Sequence, residues 1–262
     1  MGADTDVGAD VGAGAGTDRA ASPRERYRAQ VCAEIKQHAR QQIATAGASA
    51  LSLNAIAKRM GLSGPALYRY FAGRDALLTE LIADAYRSLA DTFRAAAATR
   101  EPGAEGVVAL ADALRAWALA DPQRYFLIYG TPVPGYHAPE EITAIAAEIM
   151  EVLLDAFAGM PGGTGTTGGT GTTGGTGATG GPDAGPDAGP DAGRDTDLAA
   201  HLAAHRQWAG DHPASPRTLR RALTYWTRLH GVLSLEAAGH FRGMGFDPAR
   251  HFAAEVNGLL PA

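Results

Sequence analysis

The stretch LSLNAIAKRMGLSGPALYRYF, residues 51–71, constrains the fold more than any other part of the chain. It contains two short helical patterns hinged at one glycine. Gly61 can take a left-handed conformation at little cost, so the backbone can turn sharply there. Ala57, four residues earlier, is small enough to let two helices cross closely, as a helix-turn-helix requires. Ile56, Met60, Leu62 and Leu67 fall where that crossing needs a shared core, and Phe71 extends it. Ser52 is placed to cap the first helix and Ser63 the second. Pro65 lies in the first turn of the second helix, where its missing N–H is tolerated. The second helix begins with the small residues Gly64 and Ala66, which leave its N-terminus free to approach base edges; Arg69 follows, pointing outward between Tyr68 and Tyr70.

An ordinary helical hairpin also uses glycine at a turn, so charge has to separate the two readings. The whole chain of 262 residues is acidic, with a formal net charge of −5. From Ser22 to Asp75, however, Arg24, Arg26, Arg28, Lys36, Arg40, Lys58, Arg59, Arg69 and Arg74 face only Glu25, Glu34 and Asp75, a local excess of six positive charges. A basic block inside an acidic protein, closed by the aromatic-basic run LYRYF, favours DNA over the plain hairpin.

The remaining signals are helical, and the fold class they indicate is all-α. Apolar residues make up 45 % of the chain, with alanine dominant and β-branched and aromatic residues sparse. Val31, Ile35, Ala39 and Ile43 recur at spacing four before Gly47. Leu78, Ile82, Tyr86, Leu89 and Phe93 form a second stripe, ended by Pro102-Gly103. Asp121-Pro122 opens a helix through QRYFLIYG, and residues 139–157 carry Ile142, Ile145, Ile149, Val152 and Leu153. Ser215-Pro216 opens a helix striped by Leu219, Leu223, Trp226, Leu229 or His230, and Leu233, which Gly239 can close. Asp247-Pro248 opens the last, with Phe252, Val256, Leu259 and Leu260.

Two tracts interrupt these patterns. Residues 1–21 are mostly Gly, Ala, Asp and Thr with little to bury, and read as a disordered tail. Residues 161–196 are a Gly-Thr run followed by three PDAG repeats, read as a low-complexity loop. The glycines there are not a phosphate-binding loop, because no GK[ST] ending and no preceding strand accompany them. The expected organisation is therefore a helix-turn-helix domain over 22–73, a helical regulatory domain over 74–160 and 197–262, and the loop between its two parts. Cys32 is the only cysteine, which excludes an intrachain disulfide and fits the cytoplasm. No apolar run approaches the roughly 20 residues that span a bilayer. Asp197, His201 and His205 share one helical face in a spacing that suits Zn²⁺, but without a second ligand cluster they read as a solvated helix. No metal or cofactor is expected.

At LSLNAIAKRMGLSGPALYRYFAGRDALL the sequence resembles the DNA-binding segment of the tetracycline-repressor (TetR) family. Leu67, Tyr68, Tyr70 and Phe71 match its leucine-tyrosine-x-tyrosine/histidine-phenylalanine signature, with Arg74 as the following basic residue. WTRLHG, residues 226–231, is similar to the tryptophan-histidine-glycine motif of one C-terminal subgroup, as is DPQRYFLIYG before it. The resemblance implies an N-terminal three-helix DNA-binding domain and a C-terminal helical domain for ligand binding and dimerisation. It implies that Ser63, Pro65, Ala66 and Arg69 face base edges, with Gly64 in the same DNA-binding set as a small residue that lets the helix start approach, and that Ser52, Lys58, Tyr68, Tyr70 and Arg74 grip phosphates. It further implies a small-molecule effector pocket in the aromatic middle of the chain, from Trp117, Tyr125, Phe126, Tyr129, Tyr136 and Phe157 with Trp226 and His230. The helices of 215–239 and 247–260 resemble the family's dimer-forming pair. The expected function is that of a homodimeric repressor released from a near-palindromic operator by its effector. Two rivals stand beside it: a helical interaction module without DNA binding, and an α-helical enzyme with His137 or His230 as general base. No nucleophile–base–orienter set supports the enzyme.

Overall fold

Ser22 starts the first helix by reciprocal capping: its Oγ accepts the Glu25 backbone N–H at 3.3 Å, and its own N–H donates to the Glu25 carboxylate at 2.7 Å. The helix, α1, runs Pro23–Ala46 and ends at Gly47 with φ of +78°. Three helices follow, α2 (Leu53–Arg59), α3 (Gly64–Leu67) and α4 (Arg74–Ala97). The expected stripe of Val31, Ile35, Ala39 and Ile43 is buried, packed in one core with Ile56, Ala57, Leu67, Phe71, Leu77 and Leu78. The computed structural model describes residues 22–130, 132, 135–160, 190–210 and 212–260, and of 190–196 the backbone alone.

A second core is built by α5 (Ala104–Ala120), α6 (Pro122–Tyr129), α7 (Glu140–Ala158), α9 (Pro216–Ala237) and α10 (Pro248–Gly258). The helix starts lie at the Asp-Pro and Ser-Pro pairs: Asp121, Ser215 and Asp247 each accept a first-turn backbone N–H with a side-chain oxygen. α4 belongs to both cores. Its Leu77, Leu78, Leu81 and Ile82 pack with the helix-turn-helix, whereas Leu89, Ala90 and Phe93 pack with the second core. Any movement of the regulatory helices against α4 therefore acts on a helix rooted in the DNA-binding core. Lys36 on α1 adds a polar tie, donating to Glu80 at 2.9 Å and to both oxygens of Asp84. Burial disfavours the Lys36 charge, but its hydrogen bonds to the two carboxylates more than offset this and hold its pKa above the ordinary value.

The tract read as a loop over 161–196 differs at its end. The backbone from Pro190 is already helical and opens α8 (Pro190–Ala204), which packs on α9. Proline at a first helical position gives up an N–H that has no partner there, so the third PDAG repeat can start a helix. The tail 1–21 and residues 161–189 lie outside the described residues. Among the described residues there is no strand, and no helix is long and apolar enough to cross a membrane.

Candidate nucleic-acid interface

The helix-turn-helix is assembled as its residues dictate. Ile56, Ala57, Leu67 and Phe71 are buried; Leu62 and Met60 are only partly so, at the edge of the crossing. Gly61 has φ of +67°, and its N–H donates to the Lys58 carbonyl at 3.3 Å while Leu62 N–H reaches back to Ala57 at 2.9 Å. Those two bonds close the turn. Ser52 Oγ accepts the Ala55 N–H and Ser63 Oγ the Ala66 N–H, each at 3.3 Å, so both hydroxyls cap helices and each keeps its own proton to donate outward.

What this leaves in solvent is a continuous polar edge. Lys58, Ser63, Pro65, Tyr68 and Arg69 are exposed, Tyr68 at 51 %. Gly64, Ala66, Tyr70 and Ser52 are half-buried behind them. Arg74 is engaged within the protein: Nη2 donates to the Ala48 carbonyl at 3.0 Å and Nη1 to Asp75 at 3.2 Å. It ties the start of α4 to the turn after α1, a structural duty the sequence did not reveal. Two further supports were not legible. Arg28 on α1 donates to the Arg69 carbonyl at 3.2 Å and lies 5.4 Å from the Tyr70 ring centre, so it braces the end of α3. Gln42 accepts the Ser52 N–H at 2.9 Å and donates to the Ser52 carbonyl at 3.4 Å, fixing the start of α2. Both contacts join residues at least ten apart in the chain, beyond any local spacing rule.

The aromatic residues of the regulatory half separate into groups. Tyr125, Tyr129, Trp226 and His230 come together, with ring centres 4.2 Å apart for Tyr129–His230 and 4.3 Å for Trp226–His230; Phe126 stacks edgewise on Tyr125. Tyr86 of α4, which periodicity assigned only to a core stripe, joins at Tyr129. The others lie elsewhere. Trp117 donates to Ser88 at 3.0 Å, Tyr136 shares a hydrogen bond with Thr79 at 3.1 Å, and Phe157 packs on Tyr225. At the centre of the first group, His230 Nδ1 lies 3.0 Å from the Tyr125 hydroxyl, while the buried Nε2 has no hydrogen-bond partner among the described residues. Burial lowers the His230 pKa to about 4, so the imidazole is neutral at pH 7.

Other sequence candidates lack a site. His137 is exposed. His201 and His205 contact each other, and among the described residues no group of three or more His, Cys, Asp or Glu is placed to hold a metal. Cys32 is half-buried against the helix-turn-helix core.

Residues 35–81 match the family of bacterial regulatory proteins called tetR, and residues 107–259 match the tetracyclin repressor-like C-terminal domain. The WTRLHG motif lies inside that second segment. HTH-type transcriptional regulators of Mycobacterium tuberculosis and Mycobacterium bovis are each 34 % identical over 241 residues, covering 90 % of this chain and 94 % of theirs. The crystal structure of the regulatory protein SCO4313 is 59 % identical, with a TM-score of 0.72 over 91 % of this chain and 99 % of that one. A protein from Rhodococcus sp. RHA1, 20 % identical with a TM-score of 0.57 over 87 % of this chain and 93 % of its own, shares the fold. With its exposed, capped helix-turn-helix and a matching C-terminal domain, the chain belongs to the TetR family of DNA-binding transcriptional regulators.

Proposed function

We propose that this regulator is a homodimeric repressor that leaves a near-palindromic operator when a small-molecule effector binds its C-terminal domain. The observation that carries the DNA reading is the exposed edge of Ser63, Pro65, Tyr68 and Arg69, along α3 and the turn that follows it, braced from behind by Arg28 within a basic block of an acidic chain. In this reading Ser63, Pro65, Ala66 and Arg69 meet base edges, Gly64 keeps the approach open, and Ser52, Lys58, Tyr68, Tyr70 and Arg74 meet phosphates and set the register. Repression follows from occluding a promoter and needs no activating surface.

Dimerisation through α9 and α10 is supported by what those helices leave uncovered. Gly231 and Leu235 are exposed on α9, as are Ala253 and Ala254 on α10, and Leu235 is 45 % exposed. Small residues let helices of a second copy approach closely, and a two-fold axis then requires a two-fold operator. For the effector, the support is His230. Its unpartnered Nε2, buried among Tyr125, Tyr129 and Trp226, is a polar handle of the kind that fixes a ligand in an aromatic pocket. Phe126 completes that group, whereas Trp117, Tyr136 and Phe157 pack away from it.

The experiment is selection of random duplex DNA by the purified protein, then titration of the winner at two salt concentrations. A palindromic sequence bound with a steep salt dependence is the expected result. Enrichment of a single half-site, or binding indifferent to salt, would overturn the dimeric reading or the phosphate contacts respectively.

A further inference from the structure

A ligand-sized cavity lies outside the aromatic group. It measures about 470 Å³ and opens between α1, α4 and α6, where the DNA-binding core meets the regulatory domain. α6 has two faces here: Tyr125 and Tyr129 turn toward His230, while Gln123, Arg124 and Leu127 line this cleft. A volume between roughly 300 and 1,000 Å³ is the usual size of a small-molecule site.

Its walls select the occupant. Ile43, Ala44, Leu81, Ala85 and Leu127 give an apolar lining from three helices. Four charged residues also line it, and the acidic ones are already engaged. Asp84 accepts from Lys36 at 2.9 Å, and Asp121 Oδ1 caps α6 through the Arg124 backbone N–H at 3.0 Å. The cationic ones form no close ion pair: among the described residues neither Arg40 nor Arg124 has a carboxylate within 4.0 Å, although Asp121 in the same wall stabilises the Arg124 charge at longer range. Arg40 is exposed at the rim. Arg124 is held from behind, with Nη1 donating to Ser88 at 3.3 Å, Nη2 to the Trp117 carbonyl at 2.9 Å, and its guanidinium 4.3 Å from the Trp117 ring centre. Its buried Nε has no hydrogen-bond partner among the described residues. A cation positioned by three neutral groups, beside an apolar floor, suits one organic anion with a hydrocarbon body.

We propose that this cleft is a second ligand site, taking an amphipathic monocarboxylate whose carboxylate meets Arg40 and Arg124 and whose chain lies over Ile43, Leu81 and Leu127. The site is separate from the aromatic group around His230. Its occupant touches α1 of the DNA-binding core and α6 of the regulatory domain at once.

The test is calorimetric titration of the full-length protein, without DNA, by straight-chain carboxylates from hexanoate to dodecanoate and by the matching primary alcohols. Carboxylates are expected to bind more tightly as the chain lengthens. Arg40→Glu should weaken them by about tenfold or more while leaving the alcohols within about twofold. Ala44→Trp, on an exposed wall position, should block both, and His230→Phe should change neither. No binding by any member of the series would overturn the proposal. So would binding that ignores Arg40→Glu and Ala44→Trp, or binding that is lost in His230→Phe. Because DNA is absent from the titration, failure here is distinct from failure of operator binding.

Discussion

Arg69 and Lys58 are both exposed cations of the helix-turn-helix, yet their positions set different consequences. Arg69 stands in the braced turn just after α3, where a guanidinium can pair with guanine O6 and N7. Arg69→Ala is expected to relax base preference at one operator position by about 1–3 kcal/mol, measured by titrating operators mutated base by base. Lys58→Ala should weaken all sequences alike and lower the salt slope by about one. Equal losses on every operator for Arg69→Ala would sink that division. Arg74 bonds the Ala48 carbonyl, so Arg74→Ala should reduce thermal stability, and under the proposed phosphate contact it should lower DNA affinity too. His230 makes a second residue-scale prediction. Its folded pKa of about 4 lies below the ordinary value of 6.5, because burial disfavours the imidazolium. Its contribution to stability is therefore complete above about pH 6.5 and is lost as the pH falls toward 4, on the order of 3 kcal/mol. Denaturant midpoints between pH 7 and 4 should show this acid limb, and His230→Gln should flatten it.

Among the elements, the turn between α2 and α3 depends on one backbone conformation. A Cβ on Gly61 would meet nothing within 4 Å, so Gly61→Ala is not a steric problem. Its φ of +67° is the problem, and the left-handed conformation costs a side chain about 1–2 kcal/mol. Unfolding should register that loss in the first core, and operator binding should weaken as α3 loses its angle. A fully stable, fully binding Gly61→Ala would mean the turn tolerates another path. At this scale the chain pattern was highly legible. Helix starts at Asp121, Ser215 and Asp247 follow from an N-cap followed by proline, and the stripe Val31, Ile35, Ala39, Ile43 is buried throughout. Partial burial of Leu223, Trp226, Leu259 and Leu260 was not, because periodicity states which face is apolar and not how deeply a partner covers it.

For the whole molecule, α4 is the element on which coupling rests, since it contributes to both hydrophobic cores. An effector that shifts α6 or α7 must move α4 or strain its packing, and typical couplings of this kind are about 1–3 kcal/mol. The proposed dimer makes a direct prediction. Light scattering should return twice the chain mass of 27.0 kDa, and Leu235→Glu, placing a charge on the exposed face of α9, should give the monomer with at least about tenfold weaker operator binding. Retention of the dimer in Leu235→Glu would move the interface elsewhere.

The all-α class, the helix-turn-helix with its glycine hinge and serine caps, and the clustering of basic residues around it were legible in the sequence. Each follows from contacts between residues a few positions apart, which propensity and periodicity encode. Tertiary structure alone decided which aromatics meet. Tyr125 joins His230 across 105 positions, whereas Trp117 turns to Ser88 and Phe157 to Tyr225. It alone brought Arg28 under Arg69, Gln42 to Ser52, and α1 against α6 to form a cleft. Such pairings depend on how helices cross, and the crossing is chosen by the sum of many packing contacts that no single segment carries.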